Sequence, residues 1–281
     1  MSGILYTTRP PARKGRRGRH DRSPRPRALR ALSTALILVG ALALLDAAVT
    51  LVWQEPLSAL YARLEQDHLR GALRKLERAP PTAPERMRLA RLAGERRRVS
   101  YLAGELARHA TLGSAVGSIH IPRIGASFVM VYGTGAEELE KGPGIYTQSV
   151  YPQSRVPGLG ATTAIAGHRT TFLEPFRHID ALRGGDRIVL DMPYAHFTYT
   201  VTGHRIVAPS DVAAVIGNAG HSRLVLSACT PLFSAAERLL VYARLTRTVP
   251  VGAARIGGLR FTRRPSAPPL APPAPLPQPQ V

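Results

Sequence analysis

The chain has 281 residues, 44% of them hydrophobic, enough for one or two domains with a sizeable core. It contains one cysteine, Cys229, which excludes an intramolecular disulfide and leaves stability to ordinary packing. The formal net charge is +20, but it is segregated along the chain, which argues against a folded nucleic-acid-binding surface.

Residues 1–31 hold ten basic side chains, among them Arg13, Lys14, Arg16, Arg17 and Arg19, against the single acid Asp21. The segment is rich in Gly, Pro and Ser and has no apolar period, so residues 1–30 are expected to form a disordered basic arm. From Ala31 to Gln54 the only charge is Asp46. A helix of that length, at about 1.5 Å per residue, spans a bilayer core of about 30 Å. Residues 31–54 are therefore expected to form a transmembrane helix, with Asp46 in its outer half and Trp53 as an interfacial anchor. The basic flank before the span favours a cytoplasmic N-terminus and an extracellular remainder. A cleaved signal peptide competes, with Ala41 and Ala43 near a possible cut site, but the apolar run is longer than the usual h-region.

Residues 55–112 carry apolar side chains at helical spacing: Leu57, Leu60, Tyr61 and Leu64, then Leu89, Leu92, Leu102 and Leu106. The stretch Ala79-Pro80-Pro81-Thr82-Ala83-Pro84 interrupts them, giving two amphipathic helices and a hinge, read as an extracellular stalk. Basic residues such as Arg96, Arg97 and Arg98, partly balanced by Glu65, Glu77, Glu95 and Glu105, suit a solvated face. Contact with anionic lipid or a cover over a catalytic site is the functional alternative.

Between 113 and 250 short β-like runs alternate with Gly, Pro and Asp, the punctuation of an all-β barrel or sandwich. Strands are expected near Gly117–Ile121, Ser127–Tyr132, Thr162–His168, Asp186–Asp191, His196–Val207, Arg223–Cys229 and Arg238–Leu245. Short helices are expected near Glu137–Lys141 and Pro175–Leu182. Residues 251–281 follow as a Pro-rich disordered tail, with eight prolines from Arg263 to Val281, a composition that builds no core.

Chemistry concentrates in the strand region. A lone cysteine is usually buried filler, but strand alternation puts Cys229 on the side of Val225 and Ser227, opposite Leu224, Leu226 and Ala228. In the next run Arg238 shares a side with Leu240 and Tyr242, so adjacent strands could bring guanidinium and sulfur together. His168, ending Thr162–Gly167 and followed by Arg169, is the candidate base, with His178, His196, His204 and His221 as competitors. Metal binding has little support, since no paired-cysteine or His-x-x-x-His motif is present and Glu137, Glu138 and Glu140 read as a solvated helix face.

Ala166-Gly167-His168-Arg169, Leu226-Ser227-Ala228-Cys229 and the downstream Arg238 resemble the His, Cys and Arg motifs of sortases, cysteine transpeptidases of Gram-positive bacteria. Gly117–Ile124 resembles the family's opening strand and Gly142–Tyr146 the segment before its histidine strand, while Ser234–Val241 is most similar to the actinobacterial class E branch. Ala228 departs from the Thr that sortases usually carry there. The resemblance implies an eight-stranded β-barrel over residues 113–250, all-β with short helices, preceded by the transmembrane helix and helical stalk. It further implies Cys229 as nucleophile, His168 as acid and base, and Arg238 as oxyanion partner. The expected partners are secreted proteins with a C-terminal LPxTG- or LAxTG-like sorting signal, an amine acceptor on a peptidoglycan precursor or pilin, and the membrane, but no nucleic acid. Some sortases use calcium, but no required cofactor is expected here. A non-enzymatic surface protein that binds peptide in the same barrel is the alternative of a different class.

Overall fold

The structure, a computed structural model, describes residues 25–52, 56–147, 155–217 and 219–255. The chain divides into two compact units, Met1–Val52 and Trp53–Val281. The first is helix α1, Arg25–Val52. Within it Leu29–Ala48 has a mean hydropathy of 2.0, long and apolar enough to cross a membrane. Leu36, Ile37, Leu38 and Val39, successive around the helix, are all exposed. The helix starts at Arg25, before the expected boundary, because residues 25–30 include good helix formers and contain only Pro26 as a breaker, within the first turn. Most of the basic arm, Trp53 and the Pro-rich tail beyond Arg255 lie outside the described residues.

The second unit opens with helices α2 (Pro56–Arg78), α3 (Ala83–Arg91) and α4 (Glu95–His109). Three helices stand where two were expected. The prolines do break the chain, and Thr82 then starts α3 with a capping box shared with Glu85. The additional break follows Arg91: Leu92 is the extended C-cap of α3, and Gly94, with a φ of 83°, caps the start of α4. These helices lie against the strands that follow. Leu69 and Leu73, one turn apart on α2, pack with Ala115, Val129 and Val131. Val99 and Ala103 of α4 join the main core, and Arg98, read as part of a solvated basic run, is buried with its Nε donating to the Ala254 carbonyl at 2.9 Å. Gln66 is the strongest pin. Buried, it donates to the carbonyls of Val129 (3.0 Å) and Lys141 (2.7 Å) and accepts from the Val129 N–H (2.8 Å).

Eight strands close into a barrel in the order β1-β2-β3-β4-β7-β8-β6-β5. They are β1 Ala115–Ile121, β2 Ala126–Tyr132, β3 Gly144–Ile145, β4 Thr162–Ala166, β5 Arg187–Met192, β6 Ala195–Val207, β7 Arg223–Thr230 and β8 Glu237–Pro250. The seven expected strands are all present within a few residues. β3 was not expected as a strand, since two residues show no alternation. Alternation places Ile119, Ile121, Leu190, Phe197, Leu224 and Leu226 inside the barrel, fully or almost fully buried. A second cluster covers the outside of β4, β7 and β8. There Ala164, Val225 and Leu240 meet Val215 and Ile216 of helix α6 (Val212–Ile216), numbered after the short α5 (Ala136–Leu139).

The expected helix over Pro175–Leu182 is only a 3-10 turn, Ile179–Ala181, held by the buried side chains of Phe176, Ile179 and Leu182. β4 also ends earlier than expected, at Ala166 rather than His168. Phe176 is the reason: a Cβ on Gly167 would meet its ring at 2.6 Å, so only glycine lets the chain leave the sheet here over that ring.

Candidate active site

The site forms where β4, β7 and β8 end side by side. β7 and β8 are antiparallel, and their register sets Cys229 directly opposite Arg238. β4 runs parallel to β7 on the other side, with Ala166 paired to Ser227 and the Gly167 N–H donating to the Ser227 carbonyl at 3.1 Å. His168 is the next residue after that bond. Cys229 is thus flanked by the strand end that carries the histidine and by the strand that carries the arginine.

Alternation also fixes the sides. Leu224, Leu226 and Ala228 belong to the barrel interior, whereas Val225 lies in the outer cluster with Leu240, the face shared by Cys229 and Arg238. Cys229 is half-buried, neither sealed in the core nor fully exposed. Ala228 is buried in the interior cluster, so a threonine hydroxyl there would face the core, not the sulfur's side of the sheet.

His168 is half-buried, whereas His178, His196, His204 and His221 are exposed. Its Nε2 is sealed from solvent and has no hydrogen-bond partner among the described residues. Its ring lies 5.3 Å from that of Phe172. Burial pushes the imidazole below its ordinary value, an effect partly opposed by the negative charge of Glu140. His196 instead pairs on the surface with Asp191 at 2.5 Å, remote in register from Cys229.

Arg238 is half-buried and donates from Nη1 to the carbonyls of Ala235 (3.0 Å) and Glu237 (3.1 Å). Among the described residues it forms no ion pair with a carboxylate. A guanidinium held by neutral carbonyls keeps its full charge for an incoming anionic oxygen. In the loop between β7 and β8, Phe233 has a φ of 63° and is 68% exposed, and the Arg177 guanidinium sits 5.7 Å above its ring. Opposite in sequence, Phe172, Leu173 and Glu174 have left-handed φ values of 51°, 65° and 47°. Three such residues in succession are strained, and a buried Glu174 bonded to Arg177 Nη1 at 2.7 Å helps to hold them.

Sequence reasoning singled out Cys229, His168 and Arg238, and the β4-β7-β8 arrangement gathers all three at one end of the barrel. It assigned no role to Arg169, Phe172, Arg177 or Phe233. Arg169 could have been found from its place beside His168, but the other three depend on turn geometry with no sequence pattern. A cavity of about 940 Å3 lies between α2, α4 and residues 110–115, and none of Cys229, His168 and Arg238 lines it. Among the described residues no group of three His, Cys, Asp or Glu side chains is placed to hold a metal ion.

The sortase domain family model matches residues 119–246, the span that contains Cys229, His168 and Arg238. Sortase D of Bacillus subtilis is 33% identical over 135 residues, covering 47% of this chain and 64% of that protein. Sortase SrtE1 of Streptomyces coelicolor is 27% identical over 148 residues, covering 49% of this chain and 42% of that protein. Among solved structures, sortase E of Streptomyces avermitilis is 32% identical with a TM-score of 0.44, covering 52% of this chain and 99% of that one. Over residues 119–246 the chain is similar to the sortase family. It spans between about two fifths and two thirds of the length of the curated relatives it matches.

Proposed function

We propose that the protein is a membrane-anchored cysteine transpeptidase whose catalytic residues are Cys229, His168 and Arg238. The observation that carries this reading is the pairing of Cys229 with Arg238 across β7 and β8, next to a half-buried histidine with an unpartnered ring nitrogen. Only a thiolate is a competent nucleophile, and a neighbouring guanidinium or imidazolium favours that anion. The thiolate attacks the threonine carbonyl of an LPxTG- or LAxTG-like sorting signal, and Arg238 stabilises the tetrahedral oxyanion. Collapse breaks the Thr–Gly amide, His168 protonates the departing amine, and a thioester remains on Cys229. An incoming amine then attacks the thioester, gives its proton to His168 and leaves as a new amide, which restores the thiolate.

The substrates in this reading are secreted proteins with a C-terminal sorting signal, and the acceptor is an amine of a peptidoglycan precursor or pilin. Helix α1 would anchor the chain in the cell membrane, N-terminus inside, with the barrel outside; the apolar run and the basic flank before it support this. The organisation follows: arm 1–30, span 31–54, helical segment 55–112, catalytic domain 113–250 and tail 251–281. The test is ligation by the detergent-solubilised chain, offered a small library of sorting peptides and amines, with products read by mass. Product that depends on Cys229 is expected; no product from any pair, or equal product from Cys229→Ala, would contradict the proposal.

A further inference from the structure

Arg169 is charged, almost wholly buried at 4% exposure, and unused in the mechanism above. A guanidinium is tolerated in such a place only when its donors are satisfied, and here they are satisfied from three directions. Nη1 lies 3.4 Å from the Cys229 carbonyl and 3.3 Å from Thr230 Oγ1. Nε and Nη2 donate to the Arg177 carbonyl at 3.3 and 3.2 Å, and Nη2 pairs with Asp180 Oδ2 at 3.1 Å.

The ladder between β4 and β7 stops with Ala166 and Ser227, extended one step by the Gly167 N–H on the Ser227 carbonyl. His168 and Cys229 lie just past that point. Among the described residues the next bonds between the two segments are those of Arg169, which follows His168 in the chain and grips the carbonyl of Cys229.

We propose that Arg169 is the positioning residue of this site: it clamps the Cys229 backbone to the segment that carries His168, and so sets sulfur against imidazole. Fixing that carbonyl fixes the direction in which the Cys229 side chain leaves the strand. Asp180, 59% exposed at the outer end of the fork, holds the guanidinium in place through its second nitrogen. The inference rests on the reading of Cys229 as nucleophile.

The test uses the full chain in detergent with Arg169→Gln, Arg169→Lys, Asp180→Asn and Cys229→Ala. Three quantities are measured: kcat and KM for peptide ligation, the pH dependence of alkylation of Cys229, and Tm. Arg169→Gln is expected to lower kcat about tenfold or more, with KM nearly unchanged, since small misplacements of reacting groups have effects of that size. It should also shift the pH midpoint of alkylation, because the thiol loses its fixed relation to the imidazole. Arg169→Lys, which keeps the charge but not the fork, should recover only part of the rate. A folded Arg169→Gln with parental kcat and parental alkylation profile would overturn the inference, as would a loss of rate that only tracks the unfolded fraction. If Arg169→Gln does not fold, Asp180→Asn decides: a lower kcat at unchanged Tm and KM supports the clamp, and an unchanged kcat refutes it. Activity surviving in Cys229→Ala would instead defeat the reading of the site itself.

Discussion

His168 is in the environment that best defines its chemistry. Burial favours the neutral imidazole, so the folded chain holds its proton less tightly than the unfolded chain does. Stability from this group is therefore present above the ordinary histidine value near 6.5 and lost as pH falls through the lower folded value. In the proposed mechanism the active fraction has protonated imidazole and thiolate together, giving a bell-shaped rate profile in which one limb follows the lowered value of His168. We expect that limb below pH 6.5, and Glu140→Gln, which removes the one charge opposing the shift, should move it further down; steady-state rates against pH on a cognate peptide provide the check, and a flat profile would contradict the pairing. Arg238→Lys keeps a charge but loses the planar fork, and loss of an oxyanion donor of this kind should lower kcat about a hundredfold. Cys229 and Arg238 were legible in the sequence because one closes and the other opens an apolar strand whose two-residue period tells which side each occupies. Arg169, though next to His168 in the chain, was given no role, because two of its partners, Arg177 and Asp180, lie in a turn and a 3-10 segment that no periodicity reveals.

The elements were not equally legible. β6 matches its expected span to within one residue, β8 runs on to Pro250, five residues past the expected Leu245, and β3 is two residues that fit only because Gly144 has no side chain to meet the Gly133 carbonyl. The prolines at 80, 81 and 84 marked one helix break, but the break at Gly94 was hidden by leucines on both sides that share one apolar period. The helices read as a stalk pack on the barrel through Gln66, a polar residue that amphipathic spacing assigns to no buried face. Gln66→Leu would leave two carbonyls and an N–H without their partner, at a cost of about 1–3 kcal/mol. The measurement is Tm, which should fall by several degrees with ligation retained at low temperature. Gly167→Ala should do the reverse in emphasis. Its Cβ would collide with the Phe176 ring, so the segment carrying His168 must shift, and kcat should fall more than Tm does.

For the whole molecule, charge and hydropathy separate along the chain: a basic arm, an apolar helix, a barrel bearing the chemistry and a proline-rich tail. This order was readable from composition, since the arginine-flanked apolar run stands apart from the punctuated strand region and from the prolines that follow it. The full chain should stay with liposomes at high salt, whereas a form lacking residues 1–52 should remain in solution. Release of the full chain by salt would assign the attachment to surface charge rather than to α1.

The central claim is that Cys229, His168 and Arg238 act together on one peptide bond. Intact mass of the full chain, after incubation with a sorting peptide and no acceptor amine, tests it most directly. The account predicts an adduct equal to the acyl fragment on Cys229, released by hydroxylamine, absent in Cys229→Ala and strongly reduced in Arg238→Ala. Peptide cleavage with no such adduct, or an adduct that persists in Cys229→Ala, would contradict it.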